Sequence, residues 1–344
     1  PYVDRFAVPP LLSVSLLLLL SLCCSFRCCH FVVRFAVAPL LSVSLLLLLS
    51  VGIGNAIVDV LAKCSDEFLI SKGIEKGIMQ LIDTPRAAEI YNSMNAGVEV
   101  SGGSAANTIA GIGTVGIKTA FVGKVKDDQL GRIFAHDIRA QGADFTTPMV
   151  DSESIDETGR SMILVSPDGE RSMNTYLGVA NQLNVQDIDP DLMADTEWLY
   201  LEGYLFDRPD SQAAFIRAVE LCNGSGGQSS LSLSDPFCVE RHREAFQDLI
   251  ANHINMLFCN EHELLSMYGG ESLNDAIEIG AQFVDTLVCT AGAEGAYIAN
   301  GGEIIHVPAN SVNMVDATGA GDLFAAGFLA GVSQNKSLEV CGMM

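Results

Sequence analysis

From Val51 onward, short uninterrupted apolar runs alternate with stretches in which apolar residues return every three or four positions. The runs at 51–53, 119–122, 161–165, 198–201, 229–233, 256–258 and 286–289 have the length and character of buried strands. Between them, 213–222, 241–251 and 272–283 show the helical period with mixed polar faces. This alternation predicts an α/β fold around a mainly parallel sheet, with ligands gathering outside the carboxyl ends of its strands. Two segments, 75–83 and 158–177, break the pattern with apolar residues alternating around turn signals. Pro167-Asp168-Gly169 predicts a hairpin between 162–165 and 173–176, and a hairpin inserted into a βα chain is a candidate lid over a cleft.

The first fifty residues follow another rule. Arg5-Phe6-Ala7-Val8 opens a Leu-rich run that returns at Arg34-Phe35-Ala36-Val37, 29 positions later. Two copies of a low-complexity run do not make a solenoid, and each apolar stretch is nearer a signal-peptide core than the roughly 20 residues of a spanning helix. Residues 1–46 are set aside as an artefactual or unstructured segment, a membrane-anchoring hairpin being the less favoured reading. The functional domain is expected over 47–344.

Charge narrows the function. The 344 residues carry 19 Lys and Arg against 42 Asp and Glu, a formal charge of −23. That leaves too little basic surface to track a phosphate backbone and argues against a nucleic-acid binder, whereas a small anion can still be held by backbone amides. Four of the ten cysteines, Cys23, Cys24, Cys28 and Cys29, crowd the repeat without a matching His/Cys set at zinc spacing. The other six stand singly, as buried apolar residues do in a reducing cytoplasm.

The candidate chemistry lies in four places. In Asp316-Ala317-Thr318-Gly319-Ala320-Gly321-Asp322, two close-set glycines precede an Asp that opens an apolar helix. Such a turn frees backbone N–H groups at a positive helix end and puts a carboxylate among them, fit to take a proton from a hydroxyl attacking a phosphoryl group. A capping Asp on a Gly-rich turn is the bland alternative. Ser101-Gly102-Gly103-Ser104, followed by Asn107, lets a strand-to-helix turn approach a small polar ligand. Gly54-Asn55-Ala56-Ile57-Val58-Asp59 follows the first strand and reads as a loop whose Asp59 can accept from sugar hydroxyls. Asn260-Glu261-His262-Glu263 follows the strand at 256–258 and reads equally as a helix cap with first-turn acids.

Taken in this order, these segments resemble the signatures of the ribokinase-like PfkB carbohydrate and nucleoside kinases, from about residue 48 to Met344. The resemblance implies a three-layer α/β/α fold with a small β lid, drawn from about 64–83 and 147–180. It implies ATP and Mg²⁺ as cofactors, a monovalent cation such as K⁺, and a small nucleoside or sugar as substrate. Asp322 would be the catalytic base, with Gly319, Ala320 and Gly321 forming the anion hole and Arg171 contacting the transferring phosphates. Asn55, Asp59, Gly102, Gly103, Ser104 and Asn107 would hold the sugar. Asn260 and Glu263 would organise Mg²⁺ and water, Glu263 indirectly, and Thr290, Gly292 and Gly295 would form the nucleotide loop. Asp316 matches a position near the monovalent cation.

Within the family the chain is most similar to bacterial adenosine kinases. Asn55 and Asp59 have the Asn-x-x-x-Asp spacing of that branch, and Ser104 stands where ribokinase has Lys. The positions matching its base pocket are Ile57, Met173, Leu177 and Tyr204, with Met79 from the other lid segment, all apolar or aromatic. Leu233-Ser234-Asp235-Pro236-Phe237 also resembles that branch, without a role attached. Two departures stand out: Ala317 replaces the commoner Thr, and family members continue past Met344 through a further helix near the nucleotide and cation sites. The expected reaction is ATP-dependent phosphorylation of the adenosine 5′-hydroxyl in purine salvage. Phosphorylation of inosine, guanosine, ribose or a fructose derivative is the alternative, as is a non-catalytic nucleoside-binding relic.

Overall fold

A computed structural model describes residues 49–312 and 319–344, all within the unit Leu47–Met344. The Leu-rich repeats, their four cysteines, Asp316 and Ala317 lie outside the described residues. Among those described, no helix is long and apolar enough to cross a membrane.

The strands fall into two sheets. The larger contains β1 (Leu49–Ile53), β5 (Lys118–Val122), β6 (Ala143–Asp144), β9 (Trp198–Glu202), β10 (Gln228–Ser232), β11 (Met256–Asn260), β12 (Thr286–Thr290), β13 (Ala296–Asn300) and β14 (Glu303–Val307), in the order β14-β13-β12-β11-β10-β9-β1-β5-β6. From β6 to β12 every pairing is parallel, and β13 and β14 add an antiparallel edge. The smaller contains β2 (Ile57–Lys63), β3 (Met79–Leu81), β4 (Val98–Gly102), β7 (Gly159–Val165) and β8 (Arg171–Tyr176), in the order β3-β8-β7-β2-β4.

Successive side chains of the large sheet feed two cores. Leu199, Leu201, Leu257, Leu287 and Cys289 pack on one side with residues of the helices Pro209–Gly224, Pro236–His253, Glu261–Tyr268 and Leu273–Gly280. Trp198, Tyr200, Met256, Phe258 and Val288 face the other, with residues of the helices Ser104–Thr114, Gln129–Ala140 and Ala320–Ser333. The period of two with both faces covered makes these strands read as apolar runs, and it yields the expected three layers. Gly52 adds to the close fit, because a Cβ there would run into Ile109 of the helix above.

The predicted hairpin is present. Strands β7 and β8 pair antiparallel, and Gly169 takes the left-handed φ of 90° in the turn between them. The small sheet is wider than the segments 64–83 and 147–180, because β2 and β4 also belong to it. Asp59 therefore lies in mid-strand on β2 rather than in a loop, paired with Val100 of β4 and Ser161 of β7. The half-buried alternation of Ile57–Lys63 was masked by the glycine and asparagine ahead of it. The chain leaves the large sheet after β1, builds β2 to β4, and returns through Ser104–Thr114 to β5. That excursion brings the small sheet over the carboxyl ends of β1 and β9.

Candidate active site

Asp322 stands in the first turn of the helix Ala320–Ser333, behind Gly319, whose left-handed φ of 74° swings the chain into it. The first intrahelical hydrogen bond joins Leu323 N to the Gly319 carbonyl. The amides of Ala320, Gly321 and Asp322 thus have no acceptor within the helix, as an anion hole requires. Ser104 Oγ donates to Asp322 Oδ1 at 2.6 Å, and Asn107 Nδ2 donates to Oδ2 at 3.0 Å. Burial raises the Asp322 proton affinity, while these two donors lower it. Ser104 and Asn107, expected to hold a sugar, both donate to the Asp322 carboxylate and so position it.

Asp59 faces the same space from the small sheet. Burial and the nearby charge of Asp322 push its carboxyl up to about 6, against the opposing pull of Arg171. Gly102 presses on that carboxylate, and a Cβ there would overlap it. Gly103 combines a φ of 101° with an approach to the Asn55 carbonyl that leaves no room for a side chain. Both glycines are therefore dictated by geometry.

Three linked spaces surround these groups. A cavity of 710 Å³ is lined by Asn55, Asp59, Gly103 and Ser104, by Ile57, Met79, Met173 and Leu177, and by Asp207 and Arg241. A narrower channel of 320 Å³ contains Asn107, Asn260, Glu263, Gly319 and Asp322. A third space of 640 Å³ is lined by Thr290, Gly292, Gly295, Ala320, Gly321 and Phe324. Gly103, Ser104 and Tyr204 border both the first and the channel, and Thr290, Ala320 and Gly321 border both the channel and the third. Asp322 thus lines a channel that shares wall residues with both larger spaces, and nearly every expected site residue lines one of the three. Gly102 and Arg171 line none of them. Arg171 opens β8 beside the lid turn and acts on Asp59 through its charge.

Asn260 and Glu263 form a capping box. Glu263 Oε2 accepts from Asn260 N at 3.0 Å and Oε1 from Asn260 Nδ2 at 2.6 Å, while Asn260 Oδ1 accepts from Glu263 N at 2.9 Å. The functional and structural readings of this motif coincide, since the cap lines the channel. Burial pushes Glu263 up to about 7. Among the described residues no group of three or more His, Cys, Asp or Glu could cage a metal ion. A single carboxylate beside Asn260 suits Mg²⁺, which keeps several waters and binds mainly through substrate phosphates. In the 640 Å³ space, a Cβ at Gly292 or Gly321 would meet nothing within 4 Å, so the backbone there faces open space.

Sequence reasoning missed Glu202. It ends β9, is fully buried, and accepts from Asn55 Nδ2 at 2.8 Å, Asn55 N at 3.2 Å and Ala105 N at 2.9 Å. One carboxylate thereby ties the β1–β2 turn to the start of the helix Ser104–Thr114, with burial pushing it up to about 7. An acid at the carboxyl end of an apolar strand, followed by Gly203, was the available signal. Leu233-Ser234-Asp235-Pro236-Phe237 now has a place: Ser234 borders the channel with a left-handed φ of 68°, and Asp235 and Phe237 line the substrate cavity.

The chain was compared with known proteins. Residues 77–343 match the pfkB family carbohydrate kinase model. An adenosine kinase structure from Sinorhizobium meliloti is 44% identical, with a TM-score of 0.79 over 85% of this chain and 90% of that one. A probable sugar kinase protein from Rhizobium etli CFN 42 is also 44% identical, with a TM-score of 0.79 over 86% and 89%. A fructokinase from Klebsiella pneumoniae is 27% identical over 69% of this chain and 78% of its own length. With the family model matching most of the chain and the ribokinase-like fold in place, the chain belongs to the pfkB family of carbohydrate kinases, phosphotransferases whose acceptor is an alcohol group.

Proposed function

We propose that the chain is an adenosine kinase, forming AMP from adenosine in purine salvage. The observation that carries this reading is the 710 Å³ cavity: polar at Asp59 and Gly103, apolar along Ile57, Met173 and Leu177, and opening beside Asp322. A ribose at the polar end leaves the apolar stretch for a base, which a free sugar would not fill. The likeness to the Sinorhizobium meliloti enzyme supports the same choice.

In this reading Asp59 accepts from the ribose hydroxyls, Asn55 and Gly103 close around the sugar, and the 5′-hydroxyl meets Asp322. Asp322 takes the hydroxyl proton as the 5′-oxygen forms its bond to the γ-phosphorus and the bond from that phosphorus to the β,γ-bridging oxygen breaks, leaving ADP. The amides of Ala320 and Gly321 hold the charge on the transferred oxygens, with Arg171 approaching from the lid. Glu263 and Asn260 orient water toward the nucleotide side. When bound, ATP supplies the phosphoryl group and Mg²⁺ neutralises its charge, with K⁺ near Asp316 as a further cofactor. We place the reaction in the cytoplasm, where single unpaired thiols such as Cys222 and Cys259 stay reduced.

The test is AMP and ADP production from adenosine, inosine, ribose and fructose supplied in parallel. Adenosine should be preferred, and Asp322→Asn should lose roughly 10² to 10⁴ in turnover while still binding adenosine. Preferred phosphorylation of a free sugar would keep the fold and Asp322 but overturn the substrate, and near-normal turnover by the variant would overturn the role of Asp322.

A further inference from the structure

One part of the cavity wall, away from the channel that contains Asp322, is built from charged side chains. Asp207 closes the short turn Gly203–Asp207 that follows β9. Its Oδ1 accepts from Arg241 Nη2 at 3.0 Å and Nε at 3.2 Å and pairs with His242 Nε2 at 2.7 Å, whereas Oδ2 takes one 3.2 Å bond from Arg241 Nη2. Asp207 and Arg241 line the cavity, and neither borders the channel around Asp322. They belong to the part of the cavity wall that the channel does not share.

The backbone is broken to make this cluster. The helix Pro236–His253 departs from helical geometry at His242, with φ −126° and ψ 21°. The turn ahead of the break carries Phe237, Cys238 and Arg241 to the cavity wall, and the His242 ring stands edge-on to Phe206 and Phe246. An ion pair whose side chains are 30% and 47% exposed adds little to stability, so stability does not account for the break. Phe237, 68% exposed, is likewise a large apolar side chain that this turn presents without a protein partner to bury it.

We propose that Asp207 and Arg241 select the base of the nucleoside by reading its six-membered edge, taking a purine with an amino group at C6. The proposal rests on the nucleoside reading above and deepens it. The free acceptor site on Asp207 Oδ2 receives an N–H of the exocyclic amine, and Arg241 Nη1, which makes no hydrogen bond among the described residues, donates to the neighbouring ring nitrogen. A C6 carbonyl turns an oxygen toward the carboxylate and is disfavoured. Discrimination of this kind rests on pairing a polar edge rather than on filling an apolar slot.

The full chain is assayed for kcat/KM on adenosine, inosine and purine riboside, which lacks the C6 substituent, in the wild type, Asp207→Asn and Arg241→Lys. The wild type should prefer adenosine over both others by about 10-fold or more. In Asp207→Asn the amide can turn its N–H₂ outward, and the adenosine-to-inosine ratio should fall at least 10-fold, chiefly through KM. Unchanged ratios, or equal losses on all three substrates, would overturn the proposal. Should Asp207→Asn lose its thermal transition, Arg241→Lys decides with 1-deazaadenosine: the wild type should discriminate against it and the variant should not, and equal discrimination overturns the proposal. A wild type active on nucleosides without C6 preference defeats this inference alone, whereas one that phosphorylates only free sugars defeats the nucleoside reading with it.

Discussion

At the scale of single residues, the site sets two carboxylates against their own burial. Asp322 is kept ionisable by Ser104 and Asn107, so removing one donor should raise its proton affinity. Ser104→Ala should move the acid limb of the kcat–pH profile to higher pH, a displacement that simple loss of substrate contact would not produce. Asp59 illustrates the cost of function. Its folded pKa of about 6 lies above its ordinary value of 3.8, so the folded state holds the proton more tightly. The ionised form therefore destabilises the fold, by an amount that grows from about pH 4 to pH 6 and is constant above. Asp59→Asn should be more stable than the wild type at pH 8, by on the order of 2–3 kcal/mol, with the gain vanishing near pH 4. The same variant should bind its substrate poorly. Urea unfolding at the two pH values, beside a binding titration, checks both halves.

At the scale of elements, the site is assembled where four chain segments converge on the carboxyl edge of the large sheet, and Glu202 fastens two of them. Glu202→Ala would leave Asn55 Nδ2 and two backbone N–H groups without their acceptor, and should cost roughly 2–4 kcal/mol in unfolding free energy. Denaturant titration would show it as a lower midpoint at constant m-value. This clamp also marks the limit of what the sequence reveals. Strands such as β9 and β11 are legible because both faces are buried, which leaves an uninterrupted apolar run. The antiparallel edge β13 and β14 was not anticipated, since Glu303–Val307 is mostly exposed and carries no such run. The motif around Asp322 is readable because its residues are contiguous and their backbone demands are local. Glu202 and Asn55 are 147 positions apart, and Asp207 and Arg241 are 34 apart. Pairings of that kind arise only when folded strands bring them together.

At the scale of the whole molecule, the two sheets have unequal cores. The small sheet rests on a cluster of few members, including Leu69, Ile90, Met162, Leu164 and Tyr176, while Leu81 and Val98 on its strands stay exposed. A ligand of the cavity touches both sheets, so adenosine at 100 times its Kd should add about 2.7 kcal/mol to stability and raise the melting temperature. A melting temperature unmoved by saturating adenosine would show that the cavity takes something else. The chain crosses between the two sheets four times, and one crossing is very short. Only Gly54, Asn55 and Ala56 separate β1 from β2, and Asn55 is the residue that Glu202 grips. With so few core members the small sheet should open more readily than the nine-stranded sheet, and amide protons of β3 and β8 should exchange with deuterium faster than those of β9 and β10. In Glu202→Ala that gap in exchange rates should widen, because the variant loosens one crossing between the sheets at a place remote from the protons that report it.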